Sequence, residues 1–105
     1  YSIVGRWLEH SRILAFGVGK QTEIYIGSSD LMYRNLSLRN ELMIHVENDD
    51  IKARILKHIK MYLGDTVNRR AIKSDYGYED IQLDRKEKKF NSQEEMAKEA
   101  KRLAL

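Results

Sequence analysis

The sequence predicts an α+β protein, or an α/β protein if further parallel strands lie outside this chain, with a mixed β-sheet and flanking helices. Residues 12–16 and 23–27 are rich in apolar and β-branched side chains, and a glycine-containing loop of hairpin length separates them, so we expect a β-hairpin. The apolar run 41–46 predicts a third strand. Two later segments show the helical period. The 105 residues are enough for one small domain, and we expect residues 1–105 to form a single domain.

Helical spacing appears at the amino terminus and again after the third strand. The apolar residues at positions 3–8 recur at helical spacing and predict a short opening helix. Asn48 precedes Asp49 and Asp50, which is typical of an N-cap followed by an acidic first turn. We expect this helix to end at Gly64, a common C′ residue. Its predicted apolar face consists of Ile51, Ile55, Ile59 and Leu63.

The tail of the chain is expected to be a carboxy-terminal extension that ends in a helix. Residues 65–84 are mostly polar and predict irregular structure. The pattern Ser92-x-x-Glu95 is that of a capping box and predicts the start of a final helix within the extension, residues 71–105. The side chains expected to face inward on this helix are Met96, Ala97, Ala100 and Leu103.

Composition excludes several classes of protein. The chain has 19 Lys and Arg against 16 Asp and Glu, a balance that argues against a nucleic-acid partner. It has no cysteine, which excludes a disulfide framework and a thiolate metal site. No apolar run approaches the ~20 residues of a membrane-spanning helix, so we expect a cytoplasmic protein, with peripheral membrane association as the alternative. Because the chain begins with Tyr1, we expect it to be a segment of a longer protein.

The residues that suggest chemistry are His10-Ser11-Arg12 and, one hairpin later, Gly27-Ser28-Ser29-Asp30. An antiparallel hairpin would return the second motif beside His10. A neutral imidazole can attack phosphorus or move a proton near neutral pH. Arg12 offers a planar fork of donors to phosphoryl oxygens, and glycine and serine let a phosphate approach the backbone closely. We therefore predict a phosphate-handling site with His10 as its catalytic residue.

Two further arginines follow this turn, and each candidate also has a simpler interpretation. Arg34 and Arg39 would clamp phosphate oxygens, or they are ordinary surface cations. Asp30 would bind phosphate with these residues or, as the alternative, would orient the imidazole or Arg34 instead of binding substrate. His10 alone could be an ordinary histidine at a junction between elements, and His45 is expected to pack in the core. No His, Asp or Glu grouping has metal-ligand spacing.

Two blocks of sequence carry a resemblance to a known family. They are residues 2–12 and 25–35, each eleven residues long. The match continues through Arg39 and Glu41 and then, more weakly, along the predicted helix as far as Val67. Over these residues the sequence resembles the last domain of the bacterial type 1 polyphosphate kinases. Two such blocks in the same order are much more specific than one short motif.

The resemblance implies a phospholipase-D-like fold, in which two similar α/β halves face each other and each carries a histidine-basic motif. It implies that ATP phosphorylates a histidine of the preceding half, which passes the phosphoryl group to a growing polyphosphate. His10 then corresponds to the histidine of the second half, which acts in proton transfer or nucleotide binding. Arg12 would be a phosphate ligand. The residues implied to line the channel are Ser28, Asp30, Arg34 and Arg39.

The resemblance also implies the partners. ATP or ADP and inorganic polyphosphate would be the substrates, and Mg²⁺ would neutralise the nucleotide phosphates through ligands outside this chain. The remaining domains of the full-length protein would complete the site, and a homo-oligomer is expected. The phosphorylated histidine has no counterpart here, so the isolated segment is expected to be inactive.

Departures from the phospholipase pattern separate the alternatives. That pattern has lysine where Arg12 stands, an acid near Gly17, and asparagine at the position of Asp30. These differences favour the kinase over half of a phosphodiesterase or nuclease. The kinases usually carry tryptophan where Leu31 stands, which affects packing more than chemistry. A non-catalytic module that binds polyanions through its arginines remains the other alternative.

Overall fold

A computed structural model describes residues 1–80 and 88–104 of the chain. The chain divides into two compact units, one formed by Tyr1–Glu9 with Leu56–Leu105 and the other by His10–Ile55. Helices and strands follow one another in a simple order. They are β1 (Ser2–Ile3), β2 (Ile13–Phe16), a 3₁₀ turn (Gly19–Gln21), β3 (Glu23–Gly27), a π-helical turn (Arg34–Leu38), β4 (Met43–His45), α1 (Asp49–Leu63), β5 (Arg69–Ile72), β6 (Tyr78–Asp80) and α2 (Ser92–Leu103).

The unit His10–Ile55 contains the predicted hairpin and the predicted third strand. Strands β2, β3 and β4 form an antiparallel sheet in that order, as the apolar runs indicate. Ile24 of β3 is fully buried, and Val46 beyond β4 is nearly so. The Val46 amide donates to the Ile24 carbonyl over 2.8 Å, which extends the pairing past β4. The turn between β2 and β3 has positive φ at Gly17 and Gly19, where glycine avoids the strain of a Cβ atom.

The other unit corrects two expectations. The opening helix was wrong: Ser2 and Ile3 form β1, which pairs antiparallel with β5. Irregular structure over 65–84 was also wrong, since β5 and β6 form a hairpin there; residues 81–84 lie outside the described residues. In both places the partner strand, and not the local pattern of side chains, determines the structure.

The helices agree with the sequence in extent and differ in detail. The Asn48 side-chain oxygen accepts from the Ile51 amide over 3.0 Å, so Asn48 caps α1 as predicted. On its expected apolar face, Ile51 and Leu63 are exposed. The capping box at Ser92 was wrong, because Asn91 is the N-cap and accepts from the Glu94 amide over 3.2 Å. Of the residues expected inward on α2, Met96 and Ala97 are half-buried, whereas Ala100 and Leu103 are exposed.

The α+β class is confirmed, with one correction to the sheets. The mixed sheet was wrong for the described residues, whose strands form two separate three-stranded sheets, both antiparallel. Within residues 1–80 and 88–104, no helix has the length and apolar character needed to cross a membrane. The single domain over residues 1–105 stays a prediction.

Candidate active site

The β2–β3 hairpin brings the two predicted motifs together at one end of its sheet. The Gly27 amide donates to the Arg12 carbonyl over 3.2 Å, and the next amide, of Ser28, donates to the Leu42 carbonyl over 3.0 Å. A Cβ atom on Gly27 would overlap the Leu42 carbonyl oxygen, so only glycine allows the chain to pass this closely. The turn after β3 therefore leaves the sheet beside the start of β2.

Arg12 is the centre of the site. Its Nη1 donates to the Nδ1 atom of His10 over 2.8 Å and to the His10 carbonyl over 3.0 Å, and its Nη2 donates to Oδ2 of Asp30 over 2.8 Å. Only 20% of the Arg12 side chain is exposed, against 45% of Asp30. An arginine can only donate, so Nδ1 of His10 must accept. This bond places the imidazole proton on Nε2 when His10 is neutral.

These bonds indicate that Arg12 holds its neighbours in place. Three of its five N–H donors point to His10 and Asp30, and its Nε is buried without a partner among the described residues. Beside the guanidinium lies a cavity of about 150 Å³, lined by polar groups of the two motifs and by neighbouring apolar side chains. Its lining consists of Ser11, Arg12, Ile13, Leu14, Ser29, Asp30 and Leu31.

Ser28 belongs to a second cluster, centred on Glu41. The Ser28 hydroxyl donates to Oε2 of Glu41 and accepts from the Leu42 amide over 3.1 Å. The Asn35 side-chain amide donates to Oε1 of Glu41 over 2.8 Å. These bonds, from Ser28 first and Asn35 second, lower the pKa of Glu41 below its ordinary value, and the charges of Arg39 and Arg12 act in the same direction. Glu41 therefore stays ionised and fixes the turn that carries Ser28.

Sequence reasoning assigned no role to Glu41 or Asn35, although both lie in or next to the matching blocks. A single glutamate before an apolar strand gives no local signal of its partners. Asn35 is nearly buried in the π-helical turn, and such turns often occur at functional sites. Its Oδ1 is buried without a partner among the described residues.

The remaining predicted residues lie around these clusters. The Nε of Arg39 is 4.0 Å from Oε1 of Glu41, and 58% of the Arg39 side chain is exposed. Arg34 is exposed and makes no hydrogen bond or ion pair with a described residue. His10 is exposed, and within the described residues the structure gives it no hydrogen bond to Ser28 or Ser29. The structure thus joins His10 to Asp30 through Arg12, and Ser28 to Arg39 through Glu41.

His45 corrects a further expectation. It does not pack in the core, because β4 pairs Ile44 with Ile26 on one face of the sheet and turns His45 to the other. There its ring stacks on Tyr25, with 4.9 Å between the ring centroids, and its Nδ1 lies 3.8 Å from Glu47.

A family profile described as "Polyphosphate kinase C-terminal domain 2" matches residues 1–93. The chain belongs to this family. The resemblance carried by residues 2–12 and 25–35 is therefore confirmed, and the phosphodiesterase alternative loses its support.

Several polyphosphate kinases are similar to the chain. It is 39% identical over 98 residues to the polyphosphate kinase of Parasynechococcus marenigrum and 40% identical over 100 residues to that of Helicobacter pylori. These alignments cover 93% and 95% of the chain and 14% of each relative. The crystal structure of polyphosphate kinase from Porphyromonas gingivalis superimposes with a TM-score of 0.83 at 29% identity, over 94% of this chain and 15% of that one. The chain thus corresponds to about one seventh of these polyphosphate kinases and has their phospholipase-D-like fold.

The carboxylates of the site already have partners within the chain, which bears on the Mg²⁺ ion that the resemblance implies. Asp30 is bonded to Arg12, and both oxygens of Glu41 are bonded to Ser28 and Asn35. Within the part of the chain that the structure describes, no three His, Asp or Glu side chains group as metal ligands would. Carboxylates already neutralised by cations and donors do not suit an ion that needs oxygen ligands in octahedral geometry. These residues do not fit a protein-bound Mg²⁺, and the expected ligands outside this chain remain a prediction.

Proposed function

We propose that the chain is part of the carboxy-terminal catalytic domain of an ATP–polyphosphate phosphotransferase, with residues 1–105 as one phospholipase-D-like half. The observation that supports this proposal most directly is the row of bonds His10–Arg12–Asp30. It fixes an exposed imidazole beside a half-buried cation, which lines a small cavity of mixed polar and apolar character. In the proposed reaction, a histidine outside this chain takes the terminal phosphoryl group of ATP and releases ADP. It then gives that group to the end of a polyphosphate chain.

The hydrogen bonds favour one of the two roles open to His10. With Nδ1 accepting from Arg12, a neutral His10 presents an Nε2–H donor. That donor can bind a phosphoryl or nucleotide oxygen whose negative charge increases during transfer. Accepting a proton at Nε2 would require His10 to change tautomer and lose the bond from Arg12. We therefore propose that His10 acts first as a donor to a phosphate oxygen.

The exposed arginines would hold the polyanion. Arg34 is exposed and without a partner among the described residues, and Arg39 is mostly exposed at 4.0 Å from Glu41. A guanidinium suits phosphate because its planar donors match two oxygens at once. Within this proposal, ATP and polyphosphate are the substrates, and the other domains supply the phosphorylated histidine and any Mg²⁺ ligands. A homo-oligomer of the full-length protein remains part of the same proposal.

The test is a substitution that separates the two nitrogens of His10. In the full-length protein, His10→Asn keeps an acceptor near the position of Nδ1 for Arg12 and removes Nε2. We expect the kcat of ATP-dependent polyphosphate synthesis to fall by about 100-fold or more, while the thermal unfolding midpoint stays close to that of the wild type. Polyphosphate formed from labelled ATP measures the rate.

His45→Asn is the matched control, because His45 is another exposed histidine of the same unit, and its described contacts are with Tyr25 and Glu47 and with neither motif. We expect its kcat to stay within about twofold of the wild type. Near-normal synthesis by the His10→Asn variant would refute the role of His10. Loss of synthesis with unchanged polyphosphate binding would count against the alternative of a non-catalytic binding module.

A further inference from the structure

We propose that Asn35 is a positioning residue for the proposed polyphosphate site. Through Glu41, its side chain joins the turn that carries Ser28 to the π-helical turn that carries two arginines. All of these residues lie within one compact unit of the chain. This inference deepens the proposed function and rests on it, because it needs Ser28 and the two arginines, Arg34 and Arg39, to hold polyphosphate.

Residues 31–40 reverse the usual distribution of apolar and polar side chains. Within this segment, all of which the structure describes, Asn35 is the only buried residue. The large apolar side chains are all more than half exposed, and they are Leu31, Met32, Tyr33, Leu36 and Leu38. Amide side chains are mostly exposed in folded proteins. Within this chain, apolar packing therefore does little to hold the segment in place.

The bond from Asn35 supplies this attachment. Its Nδ2 donates to Oε1 of Glu41 over 2.8 Å, and only 13% of the Glu41 side chain is exposed. Among the described residues, this is the one side-chain hydrogen bond that joins residues 31–40 to the rest of their unit. The other oxygen of Glu41 accepts from Ser28, and the Nε of Arg39 lies 4.0 Å from Oε1. One carboxylate thus contacts both turns, and Asn35 fixes its orientation.

The burial of Asn35 indicates a role beyond packing. Its Oδ1 is buried without a partner among the described residues, and a buried polar atom without a hydrogen bond destabilises the fold. Leucine has the same branching and would occupy the position without an unpaired polar atom. The donor that Asn35 gives to Glu41 explains why a polar side chain stands there.

Loss of this donor should affect the binding of polyphosphate more than the chemistry. Ser28 and Arg39 both contact Glu41, whereas the row of bonds that holds His10 does not include it. A displaced Glu41 therefore moves the proposed polyphosphate contacts and leaves His10 in place. A loss of folded protein has a different signature, since fewer active molecules lower kcat and leave the KM unchanged.

The experiment measures polyphosphate synthesis and thermal unfolding of the full-length protein with Asn35→Leu. We expect the KM for polyphosphate to rise about tenfold, as for one lost hydrogen bond to a charged group. The kcat at saturating polyphosphate should stay within about threefold of the wild type, and the KM for ATP within about twofold. If this variant does not fold, Asn35→Ala, which adds no volume, should show the same rise in the KM for polyphosphate.

Thr22→Val is the matched control, because Thr22 is the other buried polar residue among the described residues of the unit. Its hydroxyl donates to the Gly19 carbonyl over 2.9 Å, in the turn between β2 and β3. This substitution also replaces a buried polar side chain by an apolar one of the same branching. We expect a lower unfolding midpoint and a KM for polyphosphate within about twofold of the wild type.

A second pair of variants reverses the direction of the bond. Asn35→Asp keeps the shape of the side chain, removes the donor and places a like charge beside Glu41. Adding Glu41→Gln supplies an amide that donates to the new carboxylate, while its oxygen still accepts from Ser28. Assays at mildly alkaline pH favour the ionised form of both carboxylates in the single variant. Asn35→Asp alone should raise the KM for polyphosphate at least about tenfold, and adding Glu41→Gln should restore at least about half of that change on a logarithmic scale.

The outcomes separate this inference from the proposed function. If the wild type makes no polyphosphate, or if His10→Asn remains active, the proposed function fails. If both behave as expected but Asn35→Leu lowers kcat without raising the KM for polyphosphate, or raises it no more than Thr22→Val does, only the positioning role fails. The positioning role also fails if no variant at position 35 folds, or if Glu41→Gln rescues nothing in the folded Asn35→Asp variant.

Discussion

Two aspartates show how differently the two units of the chain use a carboxylate. Asp30, in the unit His10–Ile55, is 45% exposed and receives one charged donor, from Arg12. Asp65, in the other unit, is fully buried. It accepts from the amides of Val67 and Asn68 over 2.8 and 2.5 Å, and from both the amide and the hydroxyl of Ser92.

The different bonding of the two aspartates indicates that Asp30 belongs to a candidate site and that Asp65 has a structural role. Around Asp30 the polar groups border a cavity, and Nε2 of the exposed His10 imidazole makes no hydrogen bond with a described residue. Around Asp65 each oxygen is bonded within the protein, so no bonding capacity remains for a ligand. Burial by itself would raise the pKa of Asp65, but the bonds from Ser92, Asn68 and Val67 outweigh it and lower that pKa. Satisfied buried groups hold a fold together, and partly satisfied exposed groups are available for chemistry.

Of the substitutions that compare the two units, Arg12→Lys should cause the largest loss of kcat. An ammonium group lacks the planar fork that reaches His10 and Asp30 at once. We expect the kcat of polyphosphate synthesis by the full-length protein to fall about 100-fold or more. Steady-state kinetics together with thermal unfolding would show whether the loss is separate from stability.

Arg70→Lys provides the matched control, because it makes the same chemical change in a surface ion pair, with Asp80. Surface pairs contribute little, about 0–1 kcal/mol, so its kcat and unfolding midpoint should stay close to those of the wild type. A near-normal kcat for Arg12→Lys would mean that the guanidinium does not position His10. The claim that the bonds around Asp30 serve catalysis, whereas those around Asp65 serve stability, would then be wrong.

Asp65→Asn should have the opposite effect to Arg12→Lys: the protein should lose stability and keep most of its kcat. The amide of asparagine would point donor hydrogens at amides that themselves donate, and each buried donor left without an acceptor costs about 1–3 kcal/mol. We expect the free energy of unfolding, measured by denaturant titration, to fall by about that amount. Asp75→Asn, at an exposed turn where the carboxylate accepts from the Gly77 amide, should change it by less than about 0.5 kcal/mol.

The pH dependence of the unfolding free energy should show the stabilising role of the ionised Asp65 side chain. Because the folded pKa of Asp65 lies below its ordinary value of 3.8, its ionised form stabilises the fold above that pH, and this contribution disappears as the pH falls through the lowered value. We expect the unfolding free energy of the wild type to fall on acidification below about pH 4. The Asp65→Asn variant should show a shallower fall. An equally steep decline in that variant would assign the acid sensitivity to other carboxylates, such as Glu41.

Local elements of the fold could be predicted from the sequence because their signals are local. The β2–β3 hairpin and the Asn48 cap depend on residues within a few positions of each other. Strand β1 was missed because Ser2 pairs with Arg70, far along the chain. The start of α2 was placed one residue late because Asn91 and Ser92 are both good N-caps, and only the burial of Ser92 against Asp65 decides between them.

The kind of chemistry at the site could be predicted from the sequence, but the hydrogen bonds between its residues could not. The types of His10, Arg12 and Asp30 indicate phosphate handling, whereas the bonds that join them follow from tertiary structure. The role of Glu41 could not be predicted, because glutamate is common on surfaces and its partner Ser28 lies 13 positions away.

The smallest effect is expected for Arg34, an exposed residue in the same unit as Asp30. Arg34→Ala removes one exposed cation without breaking a bond to a described residue, so kcat at saturating polyphosphate should change little. The KM for polyphosphate should rise by about three- to tenfold at low salt, and its dependence on salt should become shallower because fewer charges are screened. Lys20→Ala, in the turn at the opposite end of the β2–β3 hairpin, should leave both unchanged. If both variants raise the KM for polyphosphate equally, binding depends on the overall charge of the protein and not on a specific contact with Arg34.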